Sequence, residues 1–490
     1  MSNTPSFGPG NLLAARFADN CVLFPQHPAL FIRNEFFTYE QLLEKAEIIF
    51  AQLFLESVPA FIGIYTQESV WSYAAILAIS LIGSCYVPLN SKFPAYKLQN
   101  IIQASGLQLI LTEDKLLFAH EAKELILDTR STLRKKGLPL VQQDLAYLLF
   151  TSGSTGQPKG VPVSKKNCAH FFEHCFKNYD FKETDGFLQP YELSFDVSVF
   201  SMFAAWNVGA CVYCVSDEGI KYLNVVSMLK NHRITVSSLV PTTLLYLEKY
   251  MDELTFPHLR YSFFSGDKLY HRMAVKWQKA APASVLHNCY GPTETTIVCT
   301  GYPWEEQRSA AESVNDVVPL GKAFEGMYFL LVGENDRAVS QGIGELCFTG
   351  NQVIPAYLNN QDEDRFFEHD GNRYYKTGDL AEVNAQGNLI FHGRKDTQVK
   401  INGYRIELGE VEHALYQLTK KPVIVLALEK SHVNELVAFI ETEQLDDWPL
   451  KKELATILPM YMVPTKYLAV PSFPKNSNGK VDYLQLRNSL

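Results

Sequence analysis

Positive charge is in short supply: 44 Lys and Arg stand against 53 Asp and Glu in 490 residues, a net charge of −9. Binding a phosphate backbone takes a basic surface, so nucleic acid is not an expected partner. Zinc-type clusters are lacking too, since the nine Cys and twelve His are spread along the chain. Cys211 and Cys214 spell CxxC, but within the alternating, β-rich run GACVYCV, and a strand turns residues three apart to opposite faces. His170 and His174 have helical spacing without the Glu of HExxH, and read as packing or surface residues. The start, MSNTPSFGPG, has neither the basic end nor the apolar core of a signal peptide, so a cytoplasmic protein with reduced thiols is expected. Charge is absent from Ser69 to Ser91, a length that can span a bilayer. Yet Ser72, Ser80, Gly83, Ser84, Pro88 and Asn90 interrupt it, and the pattern breaks after Ile82 into an extended piece, Cys85 to Leu89. A buried helix followed by a strand is expected there, not membrane insertion. No repeat or low-complexity segment is present.

What is present is TSGSTGQPKG, Thr151 to Gly160. Glycine lets main-chain N–H groups converge on one concavity, and hydroxyls add donors at its rim, which suits phosphate. It is not a Walker A loop: counting from Gly153, position six is Pro158, and Lys159 is followed by Gly160 rather than a hydroxyl residue. A flexible Ser/Gly turn is the plain alternative. Against it, LAYLLF (Leu145 to Phe150) enters like a buried strand and Val161-Pro162-Val163 leaves as another.

The loop resembles the phosphate loop of the adenylate-forming enzymes, and the resemblance continues along nearly the whole chain. FFTYEQL (Phe36 to Leu42), LAISLIGSCYVPLN (Leu77 to Asn90), YGPTETT (Tyr290 to Thr296), GELCFTG (Gly344 to Gly350), YKTGDL (Tyr375 to Leu380), GRKDTQVKINGYRIELGEVE (Gly393 to Glu412), LPMYMVP (Leu458 to Pro464) and NGKVD (Asn478 to Asp482) follow in that family's order. At this length more than one folding unit is expected. Strand-like runs alternate with helical ones from Pro28 to about Val163 and again from Asp196 to Thr300, the mark of an α/β domain with largely parallel sheets. Short, glycine-punctuated strands between Phe324 and Asn388 suggest a small barrel or antiparallel sheet. The resemblance implies a large N-terminal domain, residues 1–395, of two mainly parallel sheets plus that β-barrel-like subdomain. A small α+β lid, residues 396–490, would follow, with Asp396 as hinge, the helix Gly409 to Leu418 and the strand VIVLALE.

It also implies ATP-dependent activation of a carboxylic acid as an acyl adenylate, pyrophosphate release, and transfer to a thiol. Both reactants are anionic, so positive charge is needed where they meet; Lys480 of NGKVD would supply it. Thr151, Ser152, Gly153, Ser154, Thr155, Gly156 and Lys159 would hold the departing phosphates. Glu294 would be the Mg²⁺ ligand, since that hard cation prefers carboxylate and phosphate oxygens. Thr293 would donate to the α-phosphate. Tyr290 would stack on adenine beside Gly266, Cys289, Gly291 and Pro292, and Asn288 would read the adenine amino edge. Asp379 would accept from the ribose hydroxyls, helped by Phe391 and Arg394. Gly403 would open the path of the thiol arm after rotation about Asp396.

Asp196, in LSFDVSVF, lies among apolar residues where an unpaired carboxylate is costly. In the amino-acid-activating branch of the family the matching residue pairs with the substrate ammonium. A capping or helix-entry Asp is the other reading. Val197, Phe200, Ser238, Phe263, Ser265, Cys289, Ile297, Val298 and Lys480 match the pocket lining and favour a small or medium uncharged side chain. The expected enzyme is a monomeric amino acid–carrier protein ligase loading a separate phosphopantetheinylated carrier (or coenzyme A), because the sequence stops at Leu490. Lys165-Lys166, Lys420-Lys421 and Lys451-Lys452 are candidate contacts for an acidic carrier. Alternatives are a D-alanine–carrier protein ligase, against which Ser265-Gly266-Asp267 stands in place of Cys-Gly-Glu, an acyl- or aryl-CoA ligase, and a non-catalytic adenylate-binding protein. Lys480→Ala is expected to abolish ATP–pyrophosphate exchange while ATP affinity stays largely intact; an unchanged exchange rate would remove Lys480 from the reaction.

Overall fold

The computed structural model describes residues 13–56, 58–136, 141, 143–151, 158–333, 337–339, 341–430, 433–475 and 481–489. The chain divides into two compact units, the larger made of residues 1–91, 102–150 and 160–395, the smaller of 92–101, 151–159 and 396–490.

In the larger unit a nine-stranded sheet runs Lys322–Ala323, Thr300–Pro303, Val285–Tyr290, Tyr261–Phe264, Val236–Leu239, Gly186–Gln189, Cys211–Cys214, Pro28–Ile32, Glu35–Thr38. Its middle pairs are parallel and its ends antiparallel. Central strands such as GFLQ and VSSL are buried at every residue, as helices on both faces require. A six-stranded sheet, also parallel in its interior, runs Lys123–Ile126, Leu109–Thr112, Phe61–Thr66, Cys85–Asn90, Leu145–Thr151, Lys159–Ser164. The phosphate-loop candidate therefore joins two adjacent strands of this sheet, as its flanks suggested. A five-stranded antiparallel sheet, Met327–Val332, Gly344–Gly350, Asn372–Val383, Phe366–His369 and Leu389–Arg394, completes the unit.

The uncharged segment after Ser69 is a core helix and strand. Ser69 caps Val70–Ile82 by accepting from the Trp71 N–H, and Gly83, at φ 77°, ends it before the fully buried strand Cys85–Asn90. Among the described residues no helix is long and apolar enough to cross a membrane. Cys211 and Cys214 lie on an interior strand, and all nine cysteines are buried free thiols.

In the smaller unit the hairpin Gln398–Ile401 and Tyr404–Glu407 leads into helix Leu408–Thr419. A three-stranded sheet follows, Val423–Lys430, Val433–Glu441 and Lys466–Val470, with helices Asp447–Leu454 and Tyr483–Asn488. Ile406, Val411, Leu415, Ala438 and Leu454 form its core. The two later strands were not read from sequence, being separated by 24 residues of turn and helix (441 to 466). Asn402 (φ 52°) and Gly403 (φ 82°) form the two-residue turn of the hairpin, both left-handed. An Asn-Gly pair suits that geometry, and a Cβ at the second position is strained. Gly403→Ala is therefore expected to cost about 1 kcal/mol in denaturant unfolding and Gly403→Asn clearly less; equal losses would show that backbone conformation is not the reason for this glycine.

Candidate functional site

The strand Val285–Tyr290 carries Asn288, Cys289 and Tyr290 to its C-terminal edge, where Gly291 and Pro292 lead into a 3₁₀ turn, Thr293–Thr295. The loop then doubles back on itself. A Cβ on Gly291 would lie 2.6 Å from the Val298 Cα and 2.9 Å from the Cys299 nitrogen, so only glycine fits. Thr296 (φ 60°) and Ile297 (φ 69°) are left-handed, a conformation that β-branched residues adopt only when their surroundings enforce it.

Two carboxylates meet at this loop. Glu294 is completely buried, and its Oε1 accepts from the Tyr357 hydroxyl at 2.6 Å, which is 3.2 Å from the Tyr375 hydroxyl. Asp196 opens helix Asp196–Val208 and is 7% exposed. It is a helix-entry residue, as one of its two sequence readings has it, and its carboxylate is buried. Burial pushes its carboxyl up to about 6; the Thr293 hydroxyl and the Val197 and Ile297 N–H groups oppose that rise, and the Glu294 charge adds to it. The positive end of the helix dipole favours the ionised form as well.

Val197, Phe200, Ser238, Phe263, Ser265, Cys289, Ile297 and Val298 line one cavity, together with Phe171, Cys175, Tyr179 and Phe324. It encloses about 380 Å³ of non-atom space, its open mouth included. Asp196 is not in the lining set and adjoins it through Val197. The four further residues were missed by sequence reading. For Phe171 and Cys175 the signal was available, an apolar i, i+4 pair on helix Lys165–Asn178 that follows the phosphate loop. Behind the lining, His174 stacks on Phe324 (centroids 3.6 Å apart) and His287 on Phe263 (5.5 Å). Burial pushes both imidazoles down to about 4, so they are neutral packing at pH 7. His170 faces the Gln352 amide.

Farther along, Asp379 takes the Arg394 guanidinium on Oδ1 at 2.6 Å and the Tyr290 hydroxyl on Oδ2 at 2.5 Å. Sequence placed Tyr290, Asp379 and Arg394 at one ligand without foreseeing that they bond one another. The Asn288 amide donates to the Val318 and Pro319 carbonyls, leaving Oδ1 as its acceptor. Gly266 (φ 90°) follows buried Ser265, and Phe391 is half-buried against the core. Thr151 ends its strand and Lys159, buried, begins the next. Ser152 to Gly156 and Lys480 lie outside the described residues. In the smaller unit Asp396 accepts from the Gln398 N–H.

Residues 17–358 match the model of the AMP-binding enzymes. The chain belongs to that family. It is 32% identical to zwittermicin A synthase ZmaJ of Bacillus cereus over 95% of this chain and 93% of that one. Bacitracin synthase 2 of Bacillus licheniformis is 31% identical over 97% of this chain, which spans only 18% of that much longer protein. Among solved structures, the Vibrio cholerae adenylation domain AlmE, in complex with glycyl-adenosine-5′-phosphate, superposes over 100% of both chains with a TM-score of 0.83 at 25% identity. IdnL7 matches over 98% of both at a TM-score of 0.70 and 30% identity. This AMP-binding enzyme is thus an adenylate-forming ligase that uses ATP, an adenylation domain of the nonribosomal-peptide type.

For an AMP-binding enzyme built this way, Asp196 carries a cost. A carboxyl held near 6, against 3.8 when free, destabilises the fold progressively from about pH 4 to pH 6 and fully above that, by about 3 kcal/mol at 1.4 kcal/mol per unit. Asp196→Asn is expected to raise the calorimetric unfolding midpoint at pH 7.5, with the gain shrinking as pH falls toward 4. A lowered midpoint at pH 7.5 would mean that the carboxylate is compensated in the folded protein.

Proposed function

We propose that this adenylation domain activates a small or medium uncharged amino acid as its aminoacyl adenylate and passes it to the phosphopantetheine thiol of a separate carrier protein. One observation carries the reading: Asp196 is a buried carboxylate whose charged neighbour is Glu294, another anion. No cation among the described residues acts on its carboxyl, and a substrate α-ammonium would supply the counter-charge. The glycyl adenylate in AlmE supports an amino acid, and the adenylation and PCP domains of PA1221 (25% identity, TM-score 0.83) support a carrier. An aryl or fatty acid would leave Asp196 buried and unpaired. The neutral His174 and His287 offer nothing to balance a charged side chain.

In the first step a substrate carboxylate oxygen bonds to the α-phosphorus of ATP, and the α–β phosphoanhydride bond breaks to release pyrophosphate. Asp196 anchors the ammonium, the cavity holds the side chain, the Thr293 hydroxyl turns from Asp196 to donate to the α-phosphate once the ammonium is bound, and Lys480 bridges the carboxylate and the nucleotide. Thr151 to Gly160 clamps the departing phosphates, while Asp379, held by Tyr290 and Arg394, faces the ribose. Glu294 fits Mg²⁺ by chemistry: its Oε1 is fixed by Tyr357, and among the described residues no three His, Cys, Asp or Glu converge, so nucleotide oxygens would complete the shell. Bound there, the ion would neutralise phosphate charge. In the second step the carrier thiol attacks the acyl carbon and AMP leaves, after the smaller domain turns about Asp396 and Gly403 clears the arm. The reading is of a cytoplasmic monomer. Of the basic pairs considered for carrier contact, Lys165 is committed elsewhere, its amine donating to the Gly83 and Gln143 carbonyls; Lys166, Lys420, Lys421, Lys451 and Lys452 remain exposed.

ATP–pyrophosphate exchange across L- and D-amino acids and the matching deaminated acids tests the substrate class. Exchange with amino acids alone is expected; exchange confined to the deaminated acids would favour an acyl-CoA-type ligase, and none at all an adenylate-binding protein. Protonating Asp196 removes the partner of the ammonium, so the amino-acid KM should climb about tenfold per pH unit below about 6, with the ATP KM moving less. A flat profile down to pH 5 would remove Asp196 from substrate binding.

A further inference from the structure

The loop that presents Glu294 and Ile297 is held by a residue outside all of the family-like motifs. Gln352 is fully buried just beyond the strand Gly344–Gly350. Its Nε2 lies 2.8 Å from the Val298 carbonyl, 3.1 Å from that of Thr295 and 3.2 Å from that of Thr296. Its own carbonyl accepts from the Thr296 hydroxyl at 2.6 Å, and its Oε1 is 3.3 Å from His170 Nδ1. One side chain thus grips the loop on both sides of Ile297. Those are the positions where backbone strain is stored, since Thr296 and Ile297 both have positive φ. Released, two β-branched residues would relax toward negative φ. The Ile297 N–H, which reaches Asp196, would turn with them.

We propose that Gln352 is a positioning residue for amino-acid recognition: its amide holds Thr296 and Ile297 left-handed, so that the Ile297 N–H meets Asp196 while the Ile297 and Val298 side chains form the cavity wall. The inference rests on Asp196 being the ammonium partner. Gln352 touches no reacting atom, and its effect passes through the loop. Without the amide, three buried carbonyls lose a donor and the carboxylate loses one of the groups that aim it.

Gln352→Met keeps the volume and removes the donor. In pyrophosphate exchange it is expected to raise the amino-acid KM roughly tenfold while the ATP KM shifts less than about twofold, as for loss of an interaction confined to one substrate. General structural damage would instead lower kcat through the active fraction and leave the amino-acid KM alone. Glycine adopts positive φ freely, so Thr296→Gly in the Gln352→Met background is expected to recover part of the lost KM. Should Gln352→Met not fold, Gln352→Leu gives the same reading, because it also lacks the donor and brings no ionisable group. Asp196→Asn is assayed in parallel. A raised KM for Asp196→Asn with none for the Gln352 variants would overturn this inference alone; an unchanged KM for Asp196→Asn would overturn the reading beneath it.

Discussion

Two anions buried side by side set the terms for this site. Asp196 and Glu294 feel each other's charge inside the protein, where each carboxylate has given up water. Donors help to hold them there: the Tyr357 hydroxyl for Glu294, and Thr293 with two backbone N–H groups for Asp196. Hydrogen bonds stabilise an ionised carboxyl without cancelling its charge. In the proposed reaction a substrate ammonium and a phosphate-bound Mg²⁺ would be the two cations brought to this pair.

Holding that arrangement demands a loop that a relaxed backbone would not form. The parallel sheet delivers Tyr290 to one edge, Gly291 permits the chain to pass within contact distance of Val298, and two β-branched residues then take positive φ. Strain of this kind costs roughly 1–3 kcal/mol per residue and persists only where neighbours over-determine it. Gln352, Tyr357 and Tyr375 come from chain segments fifty or more residues farther on, in or beside the antiparallel sheet. The third sheet is therefore part of the site's support.

Much of this was legible in the sequence because it is written locally. Buried strands appear as short apolar runs, the Ser69-capped helix as an uncharged stretch ending at Gly83, and the motif residues as spellings that resemble a family. Eight cavity residues matched by that resemblance do line one cavity. What escaped depends on long-range pairing: Gln352 on a loop some fifty-five residues away, Phe324 and Tyr179 closing a wall whose other members lie on separate helices, strands and loops, Asp379 bonded to Tyr290. A glutamine in a glycine-rich segment carries no periodicity or charge pattern that marks it. Ser152 to Gly156 and Lys480 still rest on spelling.

The same electrostatics bears on selectivity. On the proposed reading, a cavity walled by Phe171, Phe200, Phe263 and Phe324, with neutral imidazoles behind it, would reject a charged side chain by several kcal/mol, because no counter-charge among the described residues that line it repays the lost hydration. Between two apolar side chains that differ by a methylene the penalty is only about 1–3 kcal/mol. Discrimination should therefore be steep at the α-amino group and against side-chain charge, and shallow in side-chain size. That asymmetry follows from where the buried charge sits: at Asp196, beside the cavity and not within it.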